Sequence, residues 1–370
     1  INHAFDIRGW SGGGGIINMD LGKMIQSLPL PVIQRMQIER SAIVAVKWIK
    51  RNVLHNAVNE SMYYYPLVRN NRLYGDEFLL RNYAHIEEPL LSIIEHGLYL
   101  GNNTAMVGLK HEWELGTILT SSLYRKNLIA KIFPNYYCQT IGPMIHYASC
   151  NDEFKEKLQS GLDSTARTLL FFPVHGNEKF SPVYDTEKSI IKILKIADDW
   201  DCKNIIISVF LNDIQMFNEV VHKIGAEDRV KIASSGDRYN EQFLCNQRTM
   251  IESADLTVSN NLGTHLGYCI YFGKPHILFP QDFSYEGDEK VRDEDFGVAN
   301  RSQNWKSDFE NERLMFQSLF NGSSENITQE QYNTCNFYWG FDQVRSPAEI
   351  RRISCEANSF AKRFVHEHRR

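Results

Sequence analysis

Ser253–Phe279 reads SADLTVSNNLGTHLGYCIYFGKPHILF. A short apolar run, Asp255–Val258, leads into a polar turn, Ser259-Asn260-Asn261-Leu262-Gly263-Thr264-His265. A helical period from about Gly263 to Phe272 follows at once, then the tight turn Gly273-Lys274-Pro275 and a second apolar run, His276–Phe279. Strand, helix and strand in direct succession fit one repeat of an α/β parallel sheet. Backbone N–H groups at the start of such a helix lack intrahelical partners and carry the positive end of its dipole, so they suit a phosphate. Gly263 permits close approach, Ser259 and Thr264 offer hydroxyls, and His265 and His276 can add positive charge. The competing reading is that the hydroxyls only cap the helix and the histidines are packed and hydrogen-bonded.

The same alternation extends upstream. Thr168–Val174 (TLLFFPV) reads as a buried strand and Asp185–Trp200 as a helix with Ile190, Ile193, Leu194 and Ala197 on one face. Asn204–Phe210 (NIIISVF) is a strand, Asp213–Ile224 a helix, Arg229–Ala233 a strand and Glu241–Ser253 a helix. Five nearly all-apolar strands separated by four helices predict a parallel sheet covered on both faces. Such sheets bind ligands beyond the carboxyl ends of their strands, at the topological switch point.

The front half is less regular. Pro31–Leu54 reads as one long helix, Glu87–His96 is apolar, Gly116–Ser121 and Tyr137–Ile141 read as strands, and Tyr124–Ile132 as the helix between them. A second α/β domain fits this pattern. The expected division is residues 1–160 as an acceptor-side domain, 161–345 as a nucleotide-binding domain, and 346–370 as a terminal helix packing back on the first. Asn151–Arg167 is the polar boundary, and Asp282–Asn304 and Asn321–Asn336 are polar insertions. Ser346-Pro347-Ala348-Glu349 is a capping box, and Ile350, Ile353, Ala357, Phe360, Ala361 and Phe364 form the apolar stripe of the helix it starts.

The 370 residues are 43% apolar and 23% charged with a formal net charge of −5, an ordinary globular composition that argues against disorder and against a dedicated nucleic-acid binder. No apolar run approaches the roughly 18–20 residues that span a bilayer. Seven scattered cysteines without a C-x-x-C predict reduced thiols and a cytoplasmic location. Sequons at Asn59, Asn102, Asn321 and Asn326 read as chance. The first residue is not Met and no signal peptide is recognisable, so a processed or truncated chain is expected.

The pattern Ala254-Asp255-Leu256-x-x-Ser259-x-x-x-Gly263-Thr264, a hydrophobic helix and Gly273-Lys274-Pro275 resembles the donor-phosphate region of GT-B glycosyltransferases that build bacterial capsule, lipopolysaccharide and teichoic acid. Four further blocks resemble polysaccharide-cluster transferases in the same order: Ile94–Tyr99 (IEHGLY), Thr120–Arg125 (TSSLYR), Ile141–Ala148 (IGPMIHYA) and Phe172–Gly176 (FPVHG). The resemblance implies a GT-B-like α/β fold of two Rossmann-like domains with a cleft between them. It implies a nucleotide-sugar donor, CMP- and CDP-activated sugars among the candidates, and a glycan or lipid-linked glycan acceptor. Ser259, Asn260, Gly263, Thr264 and His265 would then hold donor phosphate, His175 and Gly176 would line the cleft, and Ser234, Ser235, Gly236 and Tyr239 would hold the base. Pro275 precedes His276, so the His-Pro pair of bacterial sialyltransferases is not reproduced.

An acceptor hydroxyl needs a general base whose pKa lies near the working pH. His96, then Glu95, at the end of an apolar run, are the expected bases; Arg125 is expected at a donor phosphate or carboxylate, and His146 is a weaker candidate. No metal is expected: Asp199-Trp200-Asp201 sits at the wrong edge of the sheet, and Asp293-Glu294-Asp295 lies in a charged insertion. Gly12–Gly15 lacks the Lys-Ser/Thr of a phosphate loop and reads as a linker. Basic residues along the first and last helices leave peripheral membrane contact open. The alternatives are a nucleotide-sugar 2-epimerase, a polyol-phosphate transferase, or a non-catalytic binding module.

Overall fold

A computed structural model describes residues 69–95, 97–101, 115–176, 180–287, 305–322 and 324–367. The expected helix over Pro31–Leu54, Gly12–Gly15, Asp293–Asp295 and His96 lie outside the described residues. The chain divides after Tyr65, and Pro66–Arg370 form one unit.

Within that unit, helix α1 (Asp76–Ala84) precedes a parallel three-stranded sheet, β1 (Ile93–Ile94), β2 (Thr117–Thr120) and β3 (Tyr137–Thr140), in the order β1-β2-β3. All four residues of β2 are buried, as a central strand requires. Helix α2 (Leu123–Ile132) links β2 to β3 and is capped by Ser122, whose Oγ accepts from Arg125 N at 3.3 Å. Helix α3 (Asp152–Gln159) leads out of this half, capped by Asn151. The segment read as a boundary is thus partly helical. Asn151 is tied to the rear half through Thr249 Oγ1 and Asn246 Oδ1, each at 2.9 Å.

The rear half contains β4 (Arg167–Phe172), β5 (Phe180–Val183), α4 (Thr186–Asp199), β6 (Cys202–Ser208), α5 (Ile214–Lys223), β7 (Val230–Ala233), α6 (Phe243–Glu252), β8 (Leu256–Ser259), α7 (Thr264–Tyr271) and β9 (His276–Leu278). Strands β4, β6, β7, β8 and β9 are parallel and ordered β7-β6-β4-β8-β9. Numbered along the chain within that sheet, the order is 3-2-1-4-5, the doubly wound arrangement whose switch point falls between its first and fourth strands. Those are β4 and β8, with Phe172 opposite Ser259. Leu169, Leu170 and Phe171 of β4 are fully enclosed because helices cover both faces. Ile190, Ile193 and Ala197 are the buried face of α4, as the 3.6-residue period predicts.

Three features were not legible as elements. Strand β10 (Ser284–Gly287) pairs antiparallel with β5, and the segments read as insertion contribute α9 (Gln329–Trp339), which follows α8 (Trp305–Phe320). The terminal helix α10 (Pro347–Glu367) starts on the expected capping box, with Ser346 N donating to Glu349 Oε2 at 2.8 Å. It lies against the front half: Asn358 bonds Leu91 N and Pro89 O at 2.7 and 2.9 Å, and Phe364 occupies the space a side chain at Gly116 would need. The chain is therefore a mixed α/β protein with two parallel sheets.

Candidate functional site

The carboxyl ends of β1 and β8 face each other. At Gly97, three residues past β1, the backbone takes φ +93°, and a Cβ there would stand 3.6 Å from Thr264 Oγ1 at the start of α7. The turn after β8 and the turn after β1, both singled out in sequence, are thus brought together. Gly263 is the residue before α7 and gives it no side-chain cap, which leaves the first-turn N–H groups without that partner. A side chain at Gly263 would collide with the His265 ring, whose Cε1 would be 2.8 Å away. Trp339 Nε1 donates to Thr264 O at 3.1 Å and fixes the turn from behind.

Glu95 directly follows β1, with its N–H on Leu119 O at 2.9 Å. Its side chain is buried against Arg125: Arg125 Nε lies 3.0 Å from both carboxylate oxygens and Nη2 lies 2.6 Å from Oε1, while Thr120 Oγ1 donates to Oε2 at 2.7 Å. The guanidinium carbon sits 4.1 Å above the Tyr99 ring. Burial opposes charge on Arg125, but the Glu95 carboxylate outweighs it and raises the guanidinium's pKa. The geometry therefore corrects the expectation for both residues. Arg125 faces a carboxylate of its own chain instead of a donor, and the oxygens of Glu95 are engaged, so the pair fixes the chain at the end of β1.

The rear residues fall into two groups. Thr257 Oγ1 donates to Pro275 O at 2.9 Å, so its contact of 2.8 Å with His276 Nδ1 makes that nitrogen the donor. His276 Nε2 then accepts from Ser259 Oγ at 2.9 Å. His276 and Ser259 are buried, and burial drives the imidazole's pKa well below its ordinary value, with nearby His265 adding to the effect. This relay closes within the sheet; neither the Ser259 proton nor positive charge on His276 is offered to the cleft. Asn260, also buried, clamps the switch point: Oδ1 accepts from Val174 N at 2.6 Å and Nδ2 donates to Gln281 Oε1 at 3.0 Å.

The second group gathers around His175. His175 is exposed beyond β4, and its Nδ1 donates to Gly176 O at 2.9 Å. The His265 ring stacks on Phe172, with centroids 4.7 Å apart and planes at 17°. Burial, with His175 close by, drives its pKa down to about 3, so it is a neutral ring and supplies no charge to a phosphate. Two residues missed in sequence join them. Asp213, after β6, has its carboxyl pushed above the usual range by burial, with His175 pulling the other way. Tyr184 lies beside Thr186, Asn260 and Asp213, and burial pushes its phenol up. An acidic residue just past the second strand of a doubly wound sheet is a sequence signal for Asp213; Tyr184 follows a short polar ribbon and carries none.

Ser234, Gly236 and Tyr239 line the loop after β7. Gly236 N donates to Ser234 Oγ at 3.2 Å, Tyr239 N to Asp237 Oδ1 at 2.8 Å, and Arg238 O accepts from Tyr74 N at 2.6 Å, so this loop too borders the front half. His146 is bonded to Tyr271 Oη at 2.6 Å, away from these groups, and burial and Arg248 lower its pKa. A separate groove of about 510 Å³ lies between α2 and α9, lined by Tyr124, Asn127 and Phe337 among others. Asp199 and Asp201 both precede β6, at the amino edge of the sheet. Among the described residues, no three His, Cys, Asp or Glu side chains converge on a metal position, and no helix is long and apolar enough to cross a membrane.

No protein-family model matches the sequence, and no curated protein matches it. Solved structures do resemble it. The wall teichoic acid polymerase TagF aligns over 74% of this chain and 68% of its own at 11% identity, with a TM-score of 0.39. A pneumococcal O-GlcNAc transferase, GtfA, aligns over 74% of this chain and 52% of its own at 11% identity (TM-score 0.32). The E. coli ADP-heptose lipopolysaccharide heptosyltransferase II aligns over 44% and 61%, also at 11% identity (TM-score 0.27). The chain thus spans about half to two thirds of these neighbours. All three scores lie below 0.5, and the fold class follows from the sheets themselves.

Proposed function

We propose that the chain is a glycosyltransferase that takes a sugar from a nucleotide-sugar donor without a metal ion and passes it to a surface-glycan acceptor. The observation that carries this reading is the approach of Gly97 to Thr264. It sets the end of the front sheet against the start of α7, where first-turn N–H groups without a side-chain cap and the helix dipole favour a diphosphate. His96, between the braced Glu95 and Gly97, is the proposed general base; an imidazole titrates in the range where it can take the acceptor's proton as the sugar bond forms. Thr264 and Gly263 would hold the phosphates, and the loop of Ser234, Gly236 and Tyr239 the base. The acceptor class rests on the sequence resemblance to capsule, lipopolysaccharide and teichoic-acid transferases.

Thermal denaturation with CMP, CDP, UDP, GDP and ADP tests it. One nucleotide should raise Tm well above the rest, a CMP or CDP response pointing to nonulosonate, Kdo or polyol donors, a UDP or GDP response to hexoses. No response from any of them would leave a binding module as the better reading. His96→Ala should keep the nucleotide-induced shift and lose transfer; full turnover would remove His96 from the mechanism.

A further inference from the structure

Two helix stripes line the groove between α2 and α9. Tyr124, Asn127 and Lys131 recur at helical spacing on α2, as Asn333, Asn336 and Phe337 do on α9, so each set shares one side of its helix. The space between them, about 510 Å³, is within the size range of ligand sites. An α-helix turns about 100° per residue, so Phe337 and Trp339, two positions apart, stand on nearly opposite sides of α9. Trp339 packs on Gly267 and holds the Thr264 carbonyl; Phe337 and the groove therefore face away from the start of α7. Phe337 keeps 53% of its surface in solvent, yet its ring is held in place. It lies against Tyr124 with centroids 4.6 Å apart and planes at 34°, and Tyr338 meets both rings edge-on.

Amides border this aromatic platform. Asn333 Oδ1 accepts from Gln329 Nε2 at 2.8 Å and Asn336 Oδ1 accepts from Asp342 N at 3.1 Å. Each oxygen is thus taken by the chain itself, which leaves the NH₂ groups as donors. Exposed Asn127 has neither end of its amide hydrogen-bonded among the described residues, and exposed Asp342 adds a carboxylate acceptor. Lys131 offsets the charge of Asp342, so the lining has no net charge. An anionic lipid surface or a polyphosphate calls for clustered cations, and an amphipathic helix for an unbroken apolar floor. A pyranose fits instead: its C–H face covers an aromatic ring, and its hydroxyls both donate and accept at the rim.

We propose that the groove between α2 and α9 binds an uncharged oligosaccharide, stacked on Tyr124 and Phe337 and hydrogen-bonded by Asn127, Asn333, Asn336 and Asp342, at a distance from the start of α7. Glycan binding here does not depend on the transferase reading. Under that reading, the groove keeps hold of a chain while sugar transfer proceeds on the other side of α9.

An array of neutral oligosaccharides of glucose, galactose, mannose, N-acetylglucosamine and N-acetylgalactosamine selects the probe. Calorimetry then measures its affinity for the wild type, Phe337→Ala and Asn127→Ala; Phe337→Leu, which keeps bulk without the ring, serves if Phe337→Ala is poorly folded. Loss of the stacking face should weaken binding about 10-fold, and loss of the Asn127 amide roughly 2- to 10-fold. Weaker binding in either variant supports the groove. No binding by the wild type anywhere on the array overturns it. Equal affinity in all the proteins overturns it too, because the glycan then sits elsewhere, as in the transfer cleft. A wild-type dimer that Phe337→Ala separates in ultracentrifugation, with no glycan bound, would give the groove to a second copy and overturn it as well. The Tm response to nucleotides is read in parallel and should be the same in the wild type and the variants. Its absence beside intact glycan binding strikes the transferase reading alone; its presence without glycan binding strikes the groove alone.

Discussion

Several charges and protons of this protein are locked inside it, the Glu95–Arg125 pair first among them. Removing one member of a buried ion pair strands the other, and Glu95→Gln should therefore lower unfolding free energy by about 3–5 kcal/mol. Glu95→Leu combined with Arg125→Met should recover most of that loss, because neither charge then has to be desolvated. Urea denaturation of the three proteins measures this; a cost of about 1 kcal/mol or less for Glu95→Gln would mean the pair behaves like a surface contact. His265 and His276 make a second prediction. Both are neutral when folded because burial lowers their pKa, whereas the unfolded chain binds protons at ordinary histidine pKa values. Their contribution is complete above about pH 6.5 and is lost on acidification, at about 1.4 kcal/mol per pH unit for each ring, over a window that for His265 reaches down to its folded pKa of about 3. Asp213, held above the usual carboxyl range, works in the opposite sense at lower pH. His265→Phe should remove one proton's worth of slope between pH 6.5 and 5; an unchanged slope would show that the ring is charged in the folded protein.

At the scale of elements, the rear sheet was legible because its strands are continuous apolar runs between capped helices, and such runs have few other ways to be buried. Strand β1 is only two residues long, and its apolar approach, Glu87–His96, suggested more than forms. The ribbon of β5 and β10 and the helices α8 and α9 were opaque because their polar, aromatic-rich sequences lack a clean period. Yet α9 matters. Trp339 rests on Gly267 so closely that a Cβ there would fall 2.1 Å from its ring, and the same indole holds the Thr264 carbonyl. Gly267→Ala should cost about 1–3 kcal/mol by overpacking and move Trp fluorescence. Stability equal to wild type, with unchanged emission, would mean that α7 and α9 are not in this contact.

For the whole molecule, residues distant in sequence had to be brought together before their chemistry could be read, Glu95 with Arg125 and Gly97 with Thr264. Glu95 and Arg125 were each recognised as polar residues near strand ends, but their mutual pairing is a tertiary fact. His265 and His276 looked like positive charge for a phosphate; only their burial in the folded chain, which lowers the pKa of both rings, shows that they are neutral. Ser259 looked like a donor to a ligand, and its proton is held by His276. By contrast, the turn Gly263-Thr264 and the loop at Gly97 were both marked in sequence, and it is their meeting that the functional reading needs. The most direct test of that meeting is Thr264→Asp. A carboxylate at the start of α7 complements the helix dipole, so the free protein should be as stable as wild type or up to about 1 kcal/mol more so. The same charge would repel a diphosphate, and the account predicts that the Tm increase produced by the nucleotide the wild type binds disappears. A Thr264→Asp protein that folds normally and still shows the full nucleotide-induced increase would contradict it.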